Sequence, residues 1–285
     1  MKATTVIITH YNRETNLTNA LDGLNKQSII PDRVVVIDMG SPLPTQPAFK
    51  FELLIIPFPY DWSRMPLAAA RNFGATHALS GTLIFLDVDC IPAVNFCEAM
   101  ANAASEKDGL VMGTPKYLLF PTPEVVDENW LETNSVFHPI RPLVKTLRKE
   151  SCYELFWSLC FAIPATIFDI IGGFDELYTG YGAEDTDFAL HVQKHKIPFY
   201  LSPVGVYHQQ HPVYVPPINH LQSIVQNCNY YKQKWGYWPM EDCLQDFTKM
   251  NFIDWSPKQK RPIALLELPT VTMIHNHLVK NAPYR

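Results

Sequence analysis

Two acidic clusters in this chain have the residue types and spacing for chemistry. The first is Asp87-Val88-Asp89, which follows the apolar run Thr82–Leu86. Alternate residues of an extended chain face the same way. Both carboxylates can therefore serve one metal–diphosphate complex, one as a ligand and the other reaching a ribose hydroxyl or a metal-bound water. Mg²⁺ and Mn²⁺ prefer oxygen ligands and often keep waters while bridging phosphates. The competing reading is a solvated strand end, where aspartate is common in turns. The second cluster is Glu184-Asp185-Thr186-Asp187, preceded by Gly180-Tyr181-Gly182-Ala183. Helix capping accounts for one or two of these carboxylates. It leaves the flanking glycines and Tyr181 unexplained, and these read as a flexible loop with an aromatic platform for a sugar. A carboxylate there can act as a base if it lies within about 3 Å of a hydroxyl. His208 and His211 follow another apolar run. His208 is read as joining Asp89 in a mixed oxygen and nitrogen set suited to Mn²⁺. The two histidines can also be read as a separate metal pair.

The elements that position these residues alternate in the first half. Strands are predicted at Thr4–Thr9, Arg33–Asp38, Glu52–Ile56 and Thr82–Leu86, with helices at Glu14–Gln27 and Leu67–Leu79. Continuous apolar strands between helices imply an α/β fold with a mostly parallel sheet covered on both faces. Ligands collect beyond the carboxyl ends of such strands, where Asp38 and Asp87 fall. The second half is less regular. Strands are expected at Leu110–Met112, Leu159–Ile163, Ile197–Leu201 and Val204–Tyr207. Helices are expected at Ala183–His195, Asn219–Trp235 and Glu241–Met250, and the stretch from Ser256 onward shows no pattern.

Bulk properties narrow the classes. The chain has 285 residues, 47% hydrophobic, enough for a full core. A formal net charge of −5 argues against a nucleic-acid binder, which usually presents a basic face. Six cysteines without C-x-x-C spacing give neither a zinc knuckle nor a redox motif. With a strand pattern beginning near the N-terminus, the expectation is reduced thiols and a cytoplasmic protein. Leu155–Ile171 is apolar but interrupted by Pro164 and Asp169, so it reads as a buried strand and short helix rather than a membrane span. Arg141–Lys149 is basic and apolar. It reads either as a solvated surface helix or as a peripheral contact with anionic lipid.

In combination, several segments resemble the metal-dependent glycosyltransferases of family 2, with the GT-A fold. They are Val6-Ile7-Ile8-Thr9-His10-Tyr11-Asn12-Arg13, Val36-Ile37-Asp38-Met39-Gly40-Ser41, Ala70-Arg71-Asn72-Phe73-Gly74-Ala75 and Asp87-Val88-Asp89. Ile171-Gly172-Gly173-Phe174-Asp175-Glu176, Gly180–Asp185 and Tyr207-His208-Gln209 resemble a galactosyltransferase-like C-terminal module. That module is also seen in chondroitin polymerases and polypeptide N-acetylgalactosaminyltransferases. The resemblance spans roughly residues 3–250.

The resemblance implies a UDP-sugar donor and a Mn²⁺ or Mg²⁺ cofactor. Thr9, Tyr11, Arg13 and Asp38 would hold the nucleotide, Arg71 and Arg64 would contact uridine or diphosphate, and Asp87 with Val88 would lie at the ribose. Asp89 and His208 would bind metal. Asp185 would be the catalytic base, Glu184 would orient the acceptor, and Tyr181 and Gly182 would line the acceptor site. The implied reaction is inverting transfer of a hexose or N-acetylhexosamine to a glycan or lipid-linked saccharide. Where this chain has Thr9-His10, the family often has proline before the Tyr-Asn pair. Tyr181 stands for a usual tryptophan, and Ala183 for a usual glycine. Rival readings are a retaining transferase, a non-catalytic sugar-binding module and a nucleotidyltransferase. The last would need a glycine- and lysine-rich phosphate loop near the first strand, and none is present. One domain is expected over residues 1–255, with a nucleotide-binding half (1–115), an acceptor half (116–255) and a tail (256–285).

Overall fold

The computed structural model describes residues 2–41, 48–58 and 65–280. The first half runs β1 (Ala3–His10), α1 (Glu14–Asn25), β2 (Arg33–Asp38), β3 (Glu52–Pro57), α2 (Leu67–Thr76) and β4 (Gly81–Leu86). Then come β5 (Cys90–Pro92), α3 (Phe96–Lys107), β6 (Leu110–Leu118), α4 (Glu128–Thr133), β7 (Ser135–Phe137), β8 (Arg148–Glu150), β9 (Cys160–Pro164) and α5 (Ala165–Ile171). The remainder is α6 (Glu184–Lys194), β10 (Phe199–His208), β11 (Val213–Tyr214), α7 (Leu221–Trp235), α8 (Glu241–Lys249), β12 (Ile253–Asp254), β13 (Ala264–Leu265), α9 (Val271–Asn276) and β14 (Leu278–Val279).

The main sheet has the order β3-β2-β1-β4-β9-β6-β10-β5, with β7 beside β6 and β8 beside β10. Its first four strands are parallel. β9 is antiparallel to both β4 and β6, which makes the sheet mixed. Successive side chains leave a strand on opposite faces. Val6 and Ile8 of β1 accordingly pack in a cluster with Leu17, Leu21 and Leu24 of α1 and Phe96 and Met100 of α3. Ile7 joins the opposite cluster, with Phe85, Phe161, Phe174 and Phe188. Rings there stack closely, Phe174 on Phe188 at 4.2 Å and Phe85 on Phe161 at 4.6 Å. A third cluster joins α7 and α8 to Phe252, Ile253, Trp255 and Ile263.

Three expectations are corrected. The strands expected at Ile197–Leu201 and Val204–Tyr207 are one strand, β10, whose register against β6 shifts between Leu201 and Gly205. A Cβ at Gly205 would lie 1.8 Å from the Thr114 carbonyl oxygen, so this irregularity needs glycine. The surface helix read over Arg141–Lys149 is absent; the segment is irregular up to β8. The patternless stretch after Ser256 folds back, with β13 pairing β12 and β14 pairing β11. Leu155–Ile171 is β9 and α5 with a preceding turn, and among the described residues no helix is long and apolar enough to cross a membrane. All six cysteines are free thiols.

Candidate active site

Asp89 sits in the turn between β4 and β5. β5 runs antiparallel to the end of β10, with Cys90 opposite His208, and the Gln209 N–H donates to the Asp89 carbonyl at 2.7 Å. This pairing brings residues far apart in sequence to one point. Gln209 is buried there and fixed to α1: its amide donates to the Asn16 carbonyl at 3.1 Å and accepts from Asn19 at 2.7 Å. His208 Nε2 lies 3.5 Å from Asp89 Oδ1, and His211 Nε2 lies 3.2 Å from Asp89 Oδ2. One atom from each of the three residues falls within 4.8 Å of the others. His211, which the sequence reading placed only in a separate pair with His208, lies beside Asp89 as well. A carboxylate oxygen and two imidazole nitrogens suit a first-row divalent ion such as Mn²⁺.

Burial disfavours charge on Asp89, but His208 and His211 outweigh it and hold its carboxyl well below the usual range. For His211, too, burial is outweighed, here by the bond to Asp89, and its pKa is raised. His208 is shifted down, chiefly by burial.

The second cluster behaves differently. A cavity of about 440 Å³ is lined by Arg71, Asp87, Glu184 and Asp185, with His208 and His211 at one side. Arg71, on α2, is buried and lies between the carboxylates. Its Nη2 is 3.2 Å from Asp87 Oδ1 and its Nη1 is 3.6 Å from Glu184 Oε1. Burial pushes Asp87 up to about 6, against the pull of Arg71. Burial and the adjacent Asp185 push Glu184 up to about 7. Burial raises Asp185 as well, although its Oδ1 accepts the Thr186 N–H at 2.7 Å.

The helix-start account covers only part of these acids: Glu184, Asp185 and Asp187 lie in the first turn of α6 and Asp185 accepts a first-turn N–H, but none of them is the N-cap. The residue before α6 is Ala183, at φ 71° and with no side-chain cap. Asp187 has a structural place: it is buried and accepts from Tyr178 (3.0 Å), Lys234 (2.9 Å) and Trp235 (2.7 Å), tying α6 to α7. The preceding loop is clamped rather than free. The Asn227 amide on α7 donates to the Gly182 carbonyl at 2.9 Å and also reaches those of Thr179 and Tyr181. Gly180 and Gly182 take φ of 77° and 105°, conformations L side chains rarely adopt. Tyr181 stacks on His220 at 5.0 Å.

Other expected site residues lie around this cavity rather than in it. Thr9 is buried near the end of β1, and Tyr11 and Arg13 follow in the turn to α1. The positive charge of Arg13 reaches Asp89. Asp38 ends β2, where it pairs with His10 at 3.0 Å and accepts from the Gly40 and Ser41 N–H groups at 3.3 Å. The side chain of Val88 packs against the core. Arg64 lies outside the described residues. Sequence reasoning missed an aromatic wall of Tyr117, His138 and Trp157, isolated residues with no common motif. It also placed Arg141 outward. The guanidinium in fact lies over the Trp157 ring and donates to the Leu155 carbonyl, and burial lowers its pKa to about 10.

Residues 5–157, just over half of the chain, match the sequence profile described as glycosyl transferase family 2. The chain belongs to glycosyl transferase family 2. Residues 142–212 also match a profile described as the N-terminal domain of galactosyltransferase. Two curated relatives, both named validoxylamine A glucosyltransferase, are 28% identical over 69% of this chain. They come from Streptomyces hygroscopicus subsp. limoneus and subsp. jinggangensis. This family 2 chain spans about half of their length, 49% and 53%. Among solved structures, GalNAc-T7 with UDP, GalNAc and Mn²⁺ aligns over 73% of this chain and 44% of its own, at TM-score 0.55 and 16% identity. S. aureus TarS 1–349 with UDP aligns over 80% and 64%, at TM-score 0.54 and 18% identity. At these identities the likeness establishes the shared GT-A fold.

Proposed function

We propose that this family 2 member is a metal-dependent, inverting glycosyltransferase. It moves a hexose or N-acetylhexosamine from a UDP-sugar to a hydroxyl of a glycan or glycolipid. The observation that carries the reading is one cavity lined both by the two histidines that face Asp89 and by the raised carboxylates Glu184 and Asp185. The UDP and Mn²⁺ named for GalNAc-T7, and the UDP named for TarS, support the donor and the ion.

Asp89, His208 and His211 would hold Mn²⁺ or Mg²⁺, which when bound supplies positive charge against the diphosphate. Asp87 takes a ribose hydroxyl, and Thr9, Tyr11, Arg13 and Asp38 surround the base and ribose. Glu184 receives a hydrogen bond from the acceptor. Asp185 Oδ1 is held by Thr186, so we assign Oδ2 to the acceptor proton. In one displacement the acceptor oxygen bonds the anomeric carbon, its proton passes to Asp185, and the carbon–oxygen bond to UDP breaks with its electron pair on UDP. A base on the face opposite the leaving group inverts the anomeric centre.

The test is a screen of UDP-glucose, UDP-galactose and their N-acetyl forms for UDP release in Mn²⁺, with and without acceptors. Release that stops on chelation is expected from at least one donor. No release from any donor rejects the transferase, and an α-linked product from an α-linked donor rejects inversion.

A further inference from the structure

Residues 213–280 lie beyond both matched profiles, yet they build one wall of the cavity. Val213 and Met240 line it directly. Met240 packs against the acidic loop so closely that a Cβ on Gly182 would meet its sulfur at 2.8 Å. On the other side of that loop, Ser223 Oγ accepts the Tyr181 N–H at 3.2 Å. Asn227 is buried, and its single amide nitrogen is shared among the carbonyls of Thr179, Tyr181 and Gly182. The loop that leads into Glu184 and Asp185, the first residues of α6, is thus held by α7. Tyr181, Val213 and Met240 line the same cavity as those carboxylates and bring apolar surface to it.

We infer that residues 213–240 set acceptor specificity, with Met240 in contact with the acceptor and Asn227 as the positioning residue for the loop. The acceptor class this wall fits is a cyclic polyol carrying an apolar substituent, its hydroxyls toward Glu184 and Asp185. The assignment rests on the transferase reading above. A substituent seated on Met240 gains affinity by leaving water, and loss of such a contact raises KM with little change in kcat.

The experiment uses the full chain with Mn²⁺ and the UDP-sugar found by the screen. Methyl and p-nitrophenyl β-D-glucopyranoside are the acceptor probes. The wild type is expected to show a lower KM for the p-nitrophenyl glycoside. Met240→Ala should raise that KM about tenfold and bring the two probes together, and Met240→Leu should restore the difference. Asn227→Ala should raise acceptor KM while keeping the Mn²⁺-dependent affinity for UDP, which a general loss of folding would remove. A wild type that uses neither probe, or both equally, overturns the acceptor class. Unchanged acceptor KM in both alanine variants overturns the role of the segment. Failure of the wild type to release UDP from any donor is instead the failure of the transferase reading.

Discussion

The Asp89 cluster reaches the cavity of the carboxylate pair through His208 and His211, yet their surroundings act on the two in opposite directions. Asp89 is half-buried like Glu184, but two imidazoles face it and its charge is stabilised. Burial and the neighbouring Asp185 carboxylate disfavour the charge of Glu184 more than the shared Arg71 favours it, so its pKa rises to about 7. Burial alone therefore does not decide what a carboxylate does. The identity of its neighbours makes one acid a fixed anion and the other a group that exchanges protons near neutrality.

This contrast breaks most severely at Asp89. Asp89→Ala should abolish Mn²⁺-dependent UDP binding with the fold intact, because the only carboxylate of the set is gone. Calorimetry giving unchanged, metal-dependent UDP affinity would remove Asp89 from the site. Asp185→Asn should keep UDP binding and lower kcat by about 10²–10⁴-fold, the usual worth of a general base. If most of the turnover survives, Asp185 has no catalytic role. His208→Ala and His211→Ala should each weaken Mn²⁺ binding without abolishing it, and a titration in which only one of them matters would reduce the set to two residues.

The smallest effect sharpens the other side of the comparison. The folded pKa of Glu184 is raised, so the folded state binds that proton more tightly than the unfolded chain does. Stability from this group is present below the unfolded value of 4.5 and is lost as pH rises toward about 7. Glu184→Gln should therefore raise Tm at pH 8 relative to wild type and change it little at pH 4. A lower Tm at pH 8 would mean that the pairing with Arg71 outweighs the burial.

The parallel half was legible because its strands are continuous apolar runs between helical periods. β2 was bounded correctly at Arg33–Asp38, and the carboxylates were found because they stand where such runs stop. The two runs read as separate strands, Ile197–Leu201 and Val204–Tyr207, meet at the point where β10 shifts register against β6, a bulge that apolar runs do not distinguish from a break. The last pairings, β12 with β13 and β11 with β14, are two residues long, too short for any periodicity to show. In the site, His211 was left out of the Asp89 set because a three-residue spacing of histidines does not say which carboxylate they share. Arg141 was misplaced because a basic stretch reads as surface, and its ring partner, Trp157, is a non-local fact.

The pairing of β5 with β10 also sets an order of assembly. Asp89 emerges from the ribosome long before His208 and His211, and the strands that join them are among the most distant in the sheet. Contacts of such long separation form late. The four parallel strands at the N-terminus can associate while the chain is still growing, but no shorter chain that lacks β10 can assemble the carboxylate–dihistidine set. On the proposed reading, metal capture would report that synthesis has passed His211. A fragment ending at Pro198 that bound Mn²⁺ as tightly as the full chain would contradict this order.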